Sequence, residues 1–150
     1  MGLDQEVDVL RRIPLFQNIE PSKLKLMAFA SERLTFAGGT DLFAEGEEGD
    51  AAYIVLDGTA DVLIAGPDGQ AITVATVGAN EIVGEIAILC DVPRTATVRA
   101  RDELTTLRIT KQLFFQMVQD FPQIGVEVMR VLAHRLETTT RQLREARRQE

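Results

Sequence analysis

Apolar residues recur at helical spacing near both ends of the chain and in short strand-like runs between them. Near the amino terminus Leu3, Val7 and Leu10 follow one another at steps of four and three, the spacing of one face of an α-helix. Pro14-Leu15-Phe16 interrupts that face, and Pro21-Ser22-Lys23 starts a second helical run through Leu24, Met27 and Ala28. Proline suits a first helical turn and breaks an interior one, so the pattern predicts helix, tight turn, helix over about 1–33.

Between 34 and 110 the pattern changes. Short apolar runs at 52–56, 60–64, 72–77, 97–100 and 104–109 are separated by glycine-bearing turns, among them Asp57-Gly58 and Gly66-Pro67-Asp68-Gly69. Asp-Gly pairs supply the left-handed conformations that tight reversals need. Closely punctuated short strands predict an antiparallel sandwich or barrel of jelly-roll type. From Lys111 the period is helical again, with Leu113, Phe114, Met117 and Val118 on one face, a break at Phe121-Pro122, and a long helix from about 123 onward. The predicted class is α+β: one domain over 1–150, an antiparallel β-barrel at about 34–110, and closing helices at about 111–150. A short helix with anion-binding character lies inside the barrel region.

On the last helix Leu132, Leu136, Thr139 and Leu143 step by four, three and four. Such a seam either caps its own barrel or packs against a second copy as a homodimer. The segment 144–150 is charged almost throughout and predicts a fraying, solvated end.

Composition narrows the function. With 150 residues and 45% hydrophobic content the chain can bury one substantial core. It has no run of eighteen apolar residues and no basic-then-apolar amino terminus, so a cytoplasmic protein with no membrane segment is expected. One cysteine and one histidine leave no disulfide framework and no metal ligand set. A net charge of −7 argues against a nucleic-acid footprint. A small anion can still bind where one cation dominates locally. Cys90 reads as a small buried side chain and His134 as surface. No nucleophile and base pair up, so no enzyme is expected.

The chemistry concentrates in 84–98, the run Gly84-Glu85-Ile86-Ala87-Ile88-Leu89-Cys90-Asp91-Val92-Pro93-Arg94-Thr95-Ala96-Thr97-Val98. Gly84 permits a tight turn and close approach of backbone N–H groups. The next five residues make one helical turn, whose free N–H groups, those of Ile86 and Ala87 among them, face outward with partial positive charge. Asp91-Val92-Pro93 returns the chain so that Arg94 brings a fork of donors to the same place. Glu85 repels phosphate and instead accepts from a hydroxyl, so the cradle asks for a sugar phosphate. The plainer reading is a surface turn in which Glu85 and Arg94 pair with each other.

This run resembles the phosphate-binding cassette of the cyclic nucleotide-binding domain family, whose usual form is Phe-Gly-Glu-Leu-Ala-Leu, a short spacer, then Pro-Arg-Ala or Pro-Arg-Thr followed by Ala. The resemblance implies that Glu85 accepts the ribose 2′-OH, Arg94 pairs with the cyclic phosphate and Thr95 contacts the same phosphate. The backbone of Ile86 and Ala87 then faces the ribose phosphate edge, with Gly84 and Ala96 completing the motif. Val83 stands where Phe is usual and keeps an apolar wall for the base. The phrases 45–50 and 53–58 agree with the family, and the likeness extends over about 15–140.

The stretch 133–140 is similar to the long helix of the catabolite activator branch, where a Thr-Ser pair hydrogen-bonds adenine. By that likeness Thr139 reads the base in its own subunit, Thr140 reaches a ligand in a partner subunit, and Arg135 is a weaker ligand contact. The implied function is a regulatory sensor that signals through its carboxyl-terminal helices to an effector the sequence does not name. Its implied ligand is cAMP ahead of cGMP, although Thr95 also resembles a cGMP-type cassette. The chain ends before a helix-turn-helix would fit, so no DNA-binding domain is expected in it. The competing reading is a dimerisation or interaction scaffold that senses nothing. A jelly-roll enzyme is a third, disfavoured by the missing histidines and carboxylate cluster.

Overall fold

Strand β3, Ala51–Asp57, has six successive buried residues and is covered on both faces. Side chains alternate along a strand, so Ala52, Ile54 and Leu56 enter a core shared with helices, and Tyr53 and Val55 enter a core shared with a second sheet. The computed structural model of the chain describes residues 2–148. Around β3 it places β1 (Glu32–Phe36), β8 (Leu104–Thr110) and β6 (Ile82–Val83) in one antiparallel sheet of order β1-β8-β3-β6. A second sheet of order β2-β7-β4-β5 holds β2 (Asp41–Phe43), β7 (Thr97–Ala100), β4 (Ala60–Ala65) and β5 (Ala71–Val77). The inner faces meet through Val55, Val83 and Leu104 from the first sheet and Ala60, Val98 and Ala100 from the second.

Helices cover the other face of the first sheet. α1 (Leu3–Arg12), a 3₁₀ turn (Pro14–Phe16) and α2 (Pro21–Ala30) contribute Leu10, Phe16, Leu24 and Met27. α4 (Lys111–Asp120) and α5 (Pro122–Arg148) add Phe114, Met117, Ile124 and Val128. Thr110 caps α4 by accepting from the Leu113 N–H at 3.0 Å, the usual job of a hydroxyl at that position. Buried Glu6 on α1 pairs with Arg33 on β1, tying the lead-in to the sheet. No helix among the described residues is long and apolar enough to cross a membrane.

The α+β arrangement agrees with the sequence pattern, and the strands form two separate four-stranded sheets. All five predicted strands are present. β1, β2 and β6 were not singled out, because five, three and two residues are too few for an alternation to declare itself. The predicted turns hold, with Gly58 and Gly69 at φ 93° and 81°. Two expectations are corrected. The segment expected to fray is helical as far as Arg148, though exposed, while 149–150 lie outside the described residues. Helical i,i+4 propagation carries a charged end without any apolar face. Cys90 is exposed rather than buried, because it caps the short helix α3 (Ile86–Leu89) where the chain turns out toward Asp91.

Candidate functional site

Gly84 adopts φ 76°, in the left-handed region that glycine alone enters without strain. That turn swings the chain from β6 into α3. Ala87 and Ile88 are buried here, and Ile86 is half exposed. One N–H expected to be free is not: the Ala87 N–H donates to the Gly84 carbonyl at 3.0 Å, closing the first turn of α3. A four-residue helix spends most of its amide groups on itself.

Arg94 returns to this turn on a segment pinned by backbone. Its N–H donates to the Glu47 carbonyl at 2.7 Å, and its carbonyl accepts from Gly46 at 2.8 Å. The residue is only 8% exposed. Nη2 donates to the Ala51 carbonyl at 2.8 Å, and Nη1 approaches the Gly84 carbonyl at 3.5 Å. The guanidinium carbon lies 3.8 Å from the centre of the Phe43 ring. A Cβ on Gly84 would meet Arg94 Nη1 at 2.5 Å, and one on Gly49 would meet Arg94 Nε at 2.7 Å. Two glycines therefore clear the space the guanidinium fills. Burial lowers the Arg94 pKa from its ordinary value, with Tyr53, Asp50 and Glu47 acting in the opposite direction. An arginine remains charged through any such shift at neutral pH.

Glu85 and Arg94 do not pair with each other among the described residues. Glu85 Oε1 instead accepts from Arg135 on α5 at 3.3 Å. Glu85 Oε2 and Arg94 Nε are buried and have no hydrogen-bond partner among the described residues. An unpaired buried polar atom costs roughly 1–3 kcal/mol, so the pair marks a place built for something else.

Both residues line one cavity of about 150 Å³, together with Val83, Gly84, Ile86, Ala87, Thr95 and Ala96. Thus eight of the sequence-derived candidates come together. Arg135 joins them only through Glu85. Thr139 and Thr140 lie farther along α5, exposed, and Thr140 Oγ1 donates to the Leu136 carbonyl of its own helix at 2.8 Å. Phe43, Val62 and Val98 also line the cavity and were not foreseen. The phrase 45–50 was the available signal for Gly49, whereas nothing local in the sequence distinguishes Phe43. The described residues contain no cluster of His, Cys, Asp or Glu able to hold a metal.

Comparison with known proteins gives concordant results. A family profile described as the cyclic nucleotide-binding domain matches residues 33–121. The chain is 30% identical over 136 residues to a CRP-like cAMP-activated global transcriptional regulator of Mycobacterium tuberculosis, covering 91% of this chain and 61% of that one. The chain thus spans somewhat under two thirds of that relative. The N-terminal domain of a transcriptional regulator from Streptomyces coelicolor superposes with a TM-score of 0.84 at 32% identity, covering 89% of this chain and 92% of that one. The regulatory domain of Toxoplasma gondii PKA, solved with cAMP, superposes with a TM-score of 0.74 at 28% identity, covering 79% and 45%.

Proposed function

Because the chain belongs to the cyclic nucleotide-binding domain family, we propose that it is a cAMP-responsive regulatory module whose cavity holds the ribose and cyclic phosphate. The observation that carries this reading is the complementary pair of buried, unpartnered atoms, one acceptor on Glu85 and one donor on Arg94. A ribose hydroxyl supplies the donor for Glu85 Oε2. An exocyclic phosphate oxygen supplies the acceptor for the guanidinium, with Thr95 and the α3 turn alongside. No carboxylate is paired with Arg94 among the described residues, so an incoming phosphate need not displace an anion first. The choice of cAMP over cGMP draws support from the ligands named for the Mycobacterium and Toxoplasma relatives.

Signalling follows from differential binding, since a ligand shifts an equilibrium only by its unequal affinity for two states. In this reading the cassette tightens on the phosphate and the α4–α5 junction around 114–121 repacks. The long helix then closes over the base, bringing Thr139, and in a dimer the partner's copy of Thr140, to the adenine. The two sheets act as the halves of a jelly-roll barrel. The module works in the cytoplasm, carries out no catalysis itself and passes the signal to an effector protein or domain.

Isothermal titration calorimetry of nucleotide-stripped protein with cAMP and cGMP tests the reading. Saturable cAMP binding, stronger than cGMP and lost by at least tenfold in Arg94→Ala, is the expected result. Removing one partner of a desolvated charge contact costs about 2–5 kcal/mol. Folded wild-type protein that binds neither nucleotide would refute it and favour a scaffold.

A further inference from the structure

Strand β2 contains an irregularity that changes which way Phe43 faces. Asp41 pairs with Arg99 and Phe43 with the adjacent Val98, so two steps on β2 oppose one on β7. Without that shift Phe43 would follow Asp41, whose carboxylate is outside and accepts from Arg99 Nε at 2.7 Å. With it, both Leu42 and Phe43 pack against the inter-sheet core. Bulges of this kind re-aim side chains beside binding sites.

The re-aimed ring meets Arg94. Its centre is 3.8 Å from the guanidinium carbon, well inside the range of a cation–π contact. Behind it stands Tyr53, with ring centres 5.9 Å apart, and Tyr53 in turn is met edge-on by Phe36 at 6.0 Å. Three rings from β2, β3 and β1 therefore back one cation. The hydrogen bonds from Arg94 to Ala51 and Gly84 hold two of its nitrogens by backbone carbonyls. They leave rotation of the guanidinium out of its plane to be restrained by the ring.

We propose that Phe43 is a positioning residue for anion binding at this site, fixing the plane of the Arg94 guanidinium so that its unpartnered Nε–H is presented in advance. The assignment rests on the cyclic nucleotide reading for the identity of the anion. The geometry of the stack is independent of it. Preorganised donors bind more tightly because little orientational freedom remains to be lost.

The test compares Phe43→Leu, which keeps apolar bulk, with Phe43→Tyr, which keeps the ring. Two readouts are taken: the ¹H–¹⁵N resonance and solvent exchange of Arg94 Nε–H in nucleotide-free protein, and cAMP affinity by calorimetry. Phe43→Leu should shift that resonance, speed its exchange at least tenfold and weaken cAMP binding by about tenfold. Phe43→Tyr should stay within about threefold of wild type in both. The inference is overturned if Leu leaves the Arg94 resonance and exchange unchanged, or if Tyr perturbs them as much as Leu does. It is overturned equally if Leu disturbs Arg94 while cAMP affinity stays within twofold. Wild-type protein that binds no cyclic nucleotide defeats the functional reading instead, and inorganic phosphate then replaces cAMP as the titrated anion with the same criteria.

Discussion

Arg135 on the long carboxyl-terminal helix reaches Glu85 in the α3 turn, its Nη1 donating to Oε1 at 3.3 Å across fifty positions of sequence. The contact uses one carboxylate oxygen and leaves Oε2 without a partner among the described residues. It joins the long closing helix to the turn that lines the cavity. Arg135 is about two-fifths exposed at its side chain, so the ion pair itself stabilises the fold by at most about 1 kcal/mol. Arg135→Ala should therefore change unfolding free energy by less than about 1 kcal/mol. It should weaken cAMP binding by about three- to tenfold, by letting Glu85 swing. Chemical denaturation and calorimetry on the same protein separate the two effects.

The two glycines against Arg94 should fail differently. Gly84→Ala combines a left-handed φ of 76° with a Cβ 2.5 Å from Arg94 Nη1, so it should cost about 1–3 kcal/mol in denaturant unfolding as well as binding. Gly49 lies outside the left-handed region, and the nearest atoms its added Cβ would meet are Arg94 Nε at 2.7 Å and the Ala87 Cβ at 2.8 Å. Gly49→Ala should consequently keep a cooperative transition while lowering cAMP affinity at least tenfold, as the guanidinium is pushed from its slot. Equal loss of stability in both variants would contradict this division.

Acid should weaken the second sheet through Asp61. Its carboxylate accepts from Arg101 Nη2 at 2.6 Å and from Thr76 Oγ1 at 3.2 Å. Hydrogen bonding from Arg101, partly opposed by desolvation, lowers its pKa below the ordinary 3.8. A carboxylate lowered on folding contributes stability above its unfolded pKa and loses it as pH falls through the folded one. Wild type should thus be more stable than Asp61→Asn at pH 6 to 7, and the difference should begin to shrink as pH falls toward the ordinary 3.8 and vanish only once pH has passed through the lowered folded value. Urea titrations of both proteins over that range measure it.

Met129, Leu136 and Leu143 are each about two-thirds exposed and recur every seven residues along α5, the repeat of a two-helix seam. Ile124, Val128 and Leu132 meanwhile pack on the core, so α5 packs against α4 and the 3₁₀ turn with one face and leaves another uncovered. A homodimer through this stripe is expected in analytical ultracentrifugation, and Leu136→Glu with Leu143→Glu should return it to monomer. A monomeric wild type at tens of micromolar would remove the dimer from the mechanism.

The order of elements, the helical ends and the glycine turn at 84 were legible in the sequence because each rests on local rules. Helical periodicity showed α1, α2, α4 and α5, and Asp-Gly pairs marked the turns at Gly58 and Gly69. Gly84, Glu85 and Arg94 could be singled out because spacing and residue type carry their chemistry. Tertiary structure alone decided the partners. Arg135 finds Glu85 only because α4 packs against both α3 and α5, and Cys90 faces solvent because of how α3 ends. Phe43 meets Arg94 only because β2 slips by one residue against β7. Such facts depend on long-range packing and strand register, which are set by the whole core and leave no periodic mark in the segments they join.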